Sequence, residues 1–269
     1  MTEREYVLAR KTLLDTLELL HAHSDAIVLI GAQAVYLHAP GGLAVPAYTT
    51  DSDLALDADV LALAPDIAQT LQQAGYIPRG NPGSWDSPNG VHIDLMTGAD
   101  VPGGRRSAAL PGHDATTARR TAGLEVAVAD NEPMLLTSLD PDDPRQVEVR
   151  VASPAALVVA KLTKIAERTV AGDSDRVLPK DAGDLLRLLR MTDAKALGAR
   201  LRTLRSVPAL APVIDNALDW ARADLTTNQP WLTNLAVAAA QGTEPDLEIA
   251  SAMTVLLGLL LDAAHGPTI

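Results

Sequence analysis

The stretch from Ile27 to Leu56 reads IVLIGAQAVYLHAPGGLAVPAYTTDSDLAL, and its end decides what the rest can be. Thr50-Asp51-Ser52-Asp53-Leu54-Ala55-Leu56 has the pattern of a short strand. Residues i and i+2 of a strand point to one face, so Asp51 and Asp53 project together. Carboxylates paired on a strand are hard oxygen donors that suit Mg²⁺ or Mn²⁺, ions that keep several waters and draw further ligands from substrate phosphates. Upstream, Ala26 to Ile30 reads as an apolar strand, and Gly31-Ala32 turns it into a short helix starting near Gln33. Free backbone N–H groups at a helix N-terminus favour anions, and the missing side chain at Gly31 lets a phosphate approach the backbone. A plainer reading also fits: Asp-x-Asp can simply solvate a loop, and Gly-Ala can be a tight turn.

At 269 residues the chain exceeds a usual single core, which predicts two compact units. The hydrophobic share of 47% supplies the cores, which Ala, Leu, Val and Ile must fill because Phe is absent and aromatics are 3%. With no cysteine, disulfides and thiolate metal sites are excluded, and a reducing cytoplasmic home is the simplest expectation. The charged start MTEREYVLAR lacks the apolar core of a signal peptide. No apolar run is expected to span a bilayer; Ala250 to Ala264 is short and carries Asp262. Net charge is −12. Residues 1–150 hold 10 basic and 21 acidic residues (−11), whereas 161–205 hold 11 basic and 6 acidic (+5). The acidic total opposes non-specific nucleic-acid binding, but the basic island can accept a polyanion.

Outward from the opening stretch, Thr2 to His23 reads as a packing helix, with His21 and His23 suited to its C-terminal end. A helix is expected from Asp59 or Val60 to Ala74, ending at Gly75. Ile77–Trp85 and Gly90–Met96 read as paired strands. On the second, Asp94 alternates with packed residues, with His92 on its face; it is either a third site carboxylate or a solvent-facing residue of a half-exposed sheet. Residues 99–122 read as a long loop whose Arg105 and Arg106 either reach a phosphate or are simply solvated. Leu124–Ala129 and Gln146–Val151 read as closing strands. Ser153-Pro154 then opens a helix, which sets the boundary: a first domain over 1–152 and a helical domain over 153–269.

In the second domain Lys161, Lys164 and Arg168 fall at i, i+3 and i+7 on one helical face, and Lys161 lies in an apolar stretch where a buried cation wants an anionic partner such as triphosphate. A further helix starts at Pro179-Lys180-Asp181, with Asp184 one turn on. Asp181 and Asp184 either orient those cations or the nucleotide, or serve as carboxylates favoured at a helix start. Helices near 194–204, 209–223, 229–240 and 247–264 complete a bundle. Residues 206–269, with one basic and seven acidic residues, make a poor RNA surface.

The order strand, Gly-small residue, helix, loop, Asp-x-Asp resembles the opening signature of the DNA polymerase beta-like nucleotidyltransferases, with Gly31-Ala32 in place of the usual Gly-Gly or Gly-Ser. Lys161-Leu162 with Arg168, then Lys180-Asp181-x-x-Asp184-Leu185, is similar to later motifs of the AbiEii-type nucleotidyltransferases, toxins of type IV toxin–antitoxin systems that include the MenT group. The likeness covers residues from about 27 to 190. It implies an α+β fold, with a nucleotidyltransferase-type mixed sheet flanked by helices and a C-terminal helical bundle. It also implies Mg²⁺ or Mn²⁺ on Asp51 and Asp53, and Asp94 as a third carboxylate that orients or deprotonates the attacking hydroxyl. Gly31 and Ala32 would give backbone donors. Thr49 and Thr50 would bond phosphate or serve as a regulatory modification point. Lys161 and Lys164 would balance pyrophosphate charge, and Arg168, Lys180, Asp181 and Asp184 would contact the nucleotide. The implied substrate is a nucleoside triphosphate, the acceptor the 3′ end of tRNA and the partner a cognate antitoxin, with no membrane. Two alternatives stay open: transfer to a small molecule of the antibiotic type, and a non-catalytic nucleotidyltransferase-like binding protein.

Overall fold

The computed structural model describes residues 3–45, 48–170 and 178–266; Thr2, residues 46–47 and residues 171–177 of the basic island lie outside them. The chain divides into two compact units, residues 1–34 with 48–153, and residues 35–47 with 154–269. The second unit thus begins beside the expected boundary but also takes in a segment expected with the first.

The first unit is built on a mixed sheet: β1 (Ile27–Ile30), β2 (Asp51–Leu56), β3 (Ile77–Pro78), β4 (Ser84–Asp86), β5 (His92–Thr97), β6 (Arg119–Arg120), β7 (Asn131–Thr137) and β8 (Gln146–Ala152). The order is β3-β4-β5-β2-β1-β8-β7, with β6 also on β5. All of β1 is buried, the reason it reads as an unbroken apolar run. β2 lies antiparallel to β1 and parallel to β5. On the face opposite the aspartates, Ser52 Oγ lies 3.5 Å from the Ala9 carbonyl of α1 (Glu3–Leu19). α2 (Gly31–His38) starts in this unit and passes into the second after Ala34, and two more helices belong to the first, α3 (Ile67–Gln73) and α4 (Leu124–Ala129).

Four expectations are corrected here. Leu124–Ala129 is helix, not strand: Glu125 in its first turn accepts from Gly123 N at 2.8 Å and fastens the helix start, and a short apolar run carries no periodicity to separate helix from strand. The strand that pairs with β8 is β7. Ile77–Trp85 is not one strand but a hairpin of β3 and β4. The helix expected from residue 59 or 60 starts at Ile67, where Asp66 caps it by accepting from Gln69 N at 2.7 Å. The first helix also stops at Leu19, and His21–Ala26 forms a 3₁₀ turn. There His23 is buried, with Nε2 2.9 Å from the Pro65 carbonyl.

The second unit is helical: α5 (Pro154–Val170), α6 (Pro179–Met191), α7 (Ala194–Leu204), α8 (Ala211–Leu225), α9 (Trp231–Ala240) and α10 (Asp246–His265). Residues 41–45 of its early segment are held by α6. Arg187 donates to the carbonyls of Gly41, at 2.9 Å, and of Val45, while Arg190 donates to that of Gly42 at 2.9 Å and to Glu244 at 2.8 Å. Contrary to the expectation from sequence, α10 is long and apolar enough to cross a membrane by length and composition. Its buried residues Ile249, Met253, Leu257, Leu260, Leu261 and Ala264 recur at helical spacing and form one packed face, while Leu247 and Val255 are exposed.

Candidate functional site

The site in the first unit starts from a backbone constraint. Gly31 follows the last residue of β1 and has φ +68°, a conformation that L side chains rarely adopt. The β1–β2 register places Ile30 beside Asp53, so Gly31 lies against the Asp53 side chain. A Cβ at position 31 would fall 2.1 Å from Asp53 Oδ2. The glycine and the second aspartate of the two sequence motifs are therefore one packed feature, and the space expected to admit a phosphate at Gly31 is filled instead by the Asp53 carboxylate.

Register extends the site across the sheet. Asp51 lies beside His92 and Asp53 beside Asp94 on β5, while β4 sets Asp86 beside His92 and Ser84 beside Asp94. Two polar rows result, Asp51-His92-Asp86 and Asp53-Asp94-Ser84. Asp51 also accepts from the hydroxyl of Thr49, which is fully buried. That burial counts against Thr49 as a modification point; Thr50 is exposed.

Asp94 is not a solvent-facing residue. Its two oxygens accept from Nη1 and Nη2 of Arg119 at 2.6 Å each, and Oδ1 lies 3.0 Å from both Ser84 Oγ and His92 Nε2. Burial alone would raise this carboxyl, but the Arg119 and His92 bonds outweigh it and hold Asp94 well below the usual carboxylate range. A carboxylate so stabilised is a weak proton acceptor. His92 is raised, first by its bond to Asp94. Burial would lower Arg119, yet its bonds to Asp94 and the charges of Asp94 and Asp53 leave it raised.

Arg119 was not legible as a site residue. It lies in the stretch read as a loop, which supplies β6 beside Met96 and Thr97 of β5. Gly83 makes room for it: a Cβ there would fall 2.0 Å from the Leu95 carbonyl oxygen and 2.8 Å from Arg119 N. Arg105 and Arg106, the two cations singled out in that loop, are exposed, and Arg106 bonds Asn81 at 2.8 Å. A second residue not singled out is Gln33, which takes a bond from the buried Arg10 at 2.8 Å and gives one to Ser52 Oγ at 2.7 Å. Ala32 is buried.

The second unit gathers the other candidates. Lys161 is only 6% exposed, and its Nζ donates to Asp181 Oδ1 at 2.9 Å and Asp184 Oδ2 at 2.7 Å. Lys164 and Arg168 also donate to Asp181, at 3.0 and 3.3 Å. The basic face is thus tied to α6, and the anionic partner that buried Lys161 requires is supplied by the protein's own Asp181 and Asp184 rather than by the expected triphosphate. Burial would raise Asp181, but the charges of Lys161 and Lys164 hold it far below its ordinary value. Tyr36, whose ring lies under the Arg187 guanidinium at 5.7 Å, is raised by burial and by Asp184. Lys180 at the start of α6 is half-buried.

Among the described residues no three His, Asp or Glu side chains gather as a metal cluster. Two half-buried carboxylates from one strand do fit Mg²⁺ or Mn²⁺, which protein commonly holds by one or two carboxylates with substrate phosphates completing the shell. Comparison with protein-family models, with curated proteins and with solved structures finds no match to this chain.

Proposed function

We propose that the chain is a metal-dependent nucleotidyltransferase that moves a nucleoside monophosphate from a nucleoside triphosphate to an acceptor hydroxyl. The observation that carries this reading is the contact of Gly31 with Asp53, which sets the start of α2 against a metal-type carboxylate pair. Asp51 and Asp53 would hold Mg²⁺ or Mn²⁺, which supplies charge neutralisation on the transferring phosphate when bound. The backbone N–H groups opening α2 suit a phosphate, and nothing covalent is required of the protein. From the AbiEii resemblance we assign a cytoplasmic toxin whose acceptor is the 3′ end of tRNA and whose activity a cognate antitoxin opposes.

The test is incorporation of each of the four labelled ribonucleoside triphosphates into total cellular RNA by the wild type and by Asp51→Asn. Metal-dependent labelling by the wild type alone supports the reading; equal labelling by Asp51→Asn removes it. A second reading, a non-catalytic binding protein, is favoured by the prior engagement of Asp94 with Arg119 and of Lys161 with Asp181 and Asp184. It expects nucleotide or partner binding without labelled product.

A further inference from the structure

Arg119 holds Asp94 through two N–H bonds, one from each terminal nitrogen, whereas a guanidinium carries five. The remaining three donors have no acceptor among the described residues, although the side chain is only 26% exposed. No Arg119 nitrogen is among the buried polar atoms that lack a partner, so the spare donors reach solvent, where a ligand can take them, and a planar fork suits phosphate oxygens. The position is built: Gly83 admits the backbone of residue 119, β6 fixes it beside β5, and Asp94, itself bonded to Ser84 and His92, fixes the plane of the guanidinium. Asp94 sits directly across the β2–β5 pairing from Asp53.

We propose that Arg119 is a phosphate-binding residue of the site and that Asp94 is its positioning residue. The proposal rests on the nucleotidyltransferase reading and gives that reading a cation within the first unit. The triphosphate binds the donors of Arg119 that Asp94 leaves over. Asp94 keeps its own bonds throughout and does not receive the proton of the acceptor hydroxyl.

The experiment is calorimetric titration, in Mg²⁺, of wild type, Arg119→Ala, Arg119→Lys and Asp94→Asn with inorganic tripolyphosphate and with ribonucleoside triphosphates, diphosphates and nucleosides. Loss of one charge-assisted contact predicts triphosphate binding about 10- to 100-fold weaker in Arg119→Ala. Nucleoside binding stays unchanged, so the preference for triphosphate over nucleoside collapses. Arg119→Lys retains part of it, and Asp94→Asn loses several-fold with the same selectivity for phosphate. A purely structural role would weaken all ligands alike. Because Arg119→Ala strands a buried carboxylate, Arg119→Met combined with Asp94→Asn is measured beside it. If the wild type prefers triphosphates and the arginine variants keep that preference, the Arg119 assignment falls alone. If the wild type binds neither triphosphate nor tripolyphosphate, the nucleotidyltransferase reading falls first.

Discussion

Gly31 and Asp53 occupy space that cannot be shared with one more carbon: the Cβ of any side chain at 31 would sit 2.1 Å from Asp53 Oδ2 and 2.8 Å from its Cβ. Gly31→Ala therefore has to displace the Asp53 carboxylate, and it adds strain at φ +68°. We expect a stability loss of more than about 1 kcal/mol by urea titration and loss of metal-dependent labelling. A variant with wild-type midpoint and wild-type labelling would show that this contact does not matter.

Lys161 is a stability residue before it is anything else. Lys161→Met leaves Asp181 and Asp184 buried without their central cation, a change expected to cost about 3–5 kcal/mol. Adding Asp181→Asn and Asp184→Asn should restore much of the loss, since the stranded charge is then gone. Chemical denaturation of the single and triple variants checks this; a mild single variant with no recovery in the triple contradicts the buried-pair account.

Stability should fall on both sides of a mildly acidic window. Asp181 and Asp94 are depressed, so each contributes fully above the ordinary carboxylate value of 3.8 and loses its contribution as pH drops below that toward the folded value. His92 is raised by Asp94, so its contribution is complete below the ordinary 6.5 and disappears as pH climbs through its higher folded value. The difference in thermal midpoint between wild type and His92→Gln should accordingly shrink as pH rises above 6.5. A difference that grows with pH would reverse the assigned sign.

Asp66 offers a local control away from the site. Its side chain caps α3 through Gln69 N at 2.7 Å and also accepts from Asp114 N at 2.7 Å. Asp66→Ala should cost about 1–2 kcal/mol, readable as a shifted denaturation midpoint with an unchanged slope. No shift would mean that water replaces both bonds.

The polar side of β2 was legible because strand alternation is strict: once Thr50–Leu56 is a strand, Asp51 and Asp53 must share a face. The partners across the sheet were half legible. Asp94 stood out as a carboxylate within an apolar strand, but its parallel pairing with β2 depends on a crossover that no local pattern encodes. Arg119 carried no signal, because its position follows from Gly83 and a two-residue strand inside an aperiodic stretch. Helical charge spacing placed Lys161, Lys164 and Arg168 together, and an apolar setting pointed to an anionic partner for Lys161. That Asp181 and Asp184 are the partner in place of a triphosphate does not follow from the sequence, since spacing along one helix does not say what packs against it. Leu124–Ala129 fits a strand as well as a helix in sequence because six residues are too few to show a period.

The second unit draws Tyr36, Gly41 and Gly42 from early in the chain and closes Arg187 and Arg190 on their segment much later. A fragment beginning at Pro154 would accordingly emerge with two arginines deprived of their carbonyl acceptors, and a fragment ending at Ser153 would carry an internal strap without the helix that holds it. During synthesis that strap leaves the ribosome long before α6 exists to receive it. The helical unit is therefore complete only once α6 has been made, and because α2 runs from one unit into the other, separating the halves either cuts that helix or leaves Arg187 and Arg190 without their carbonyl acceptors.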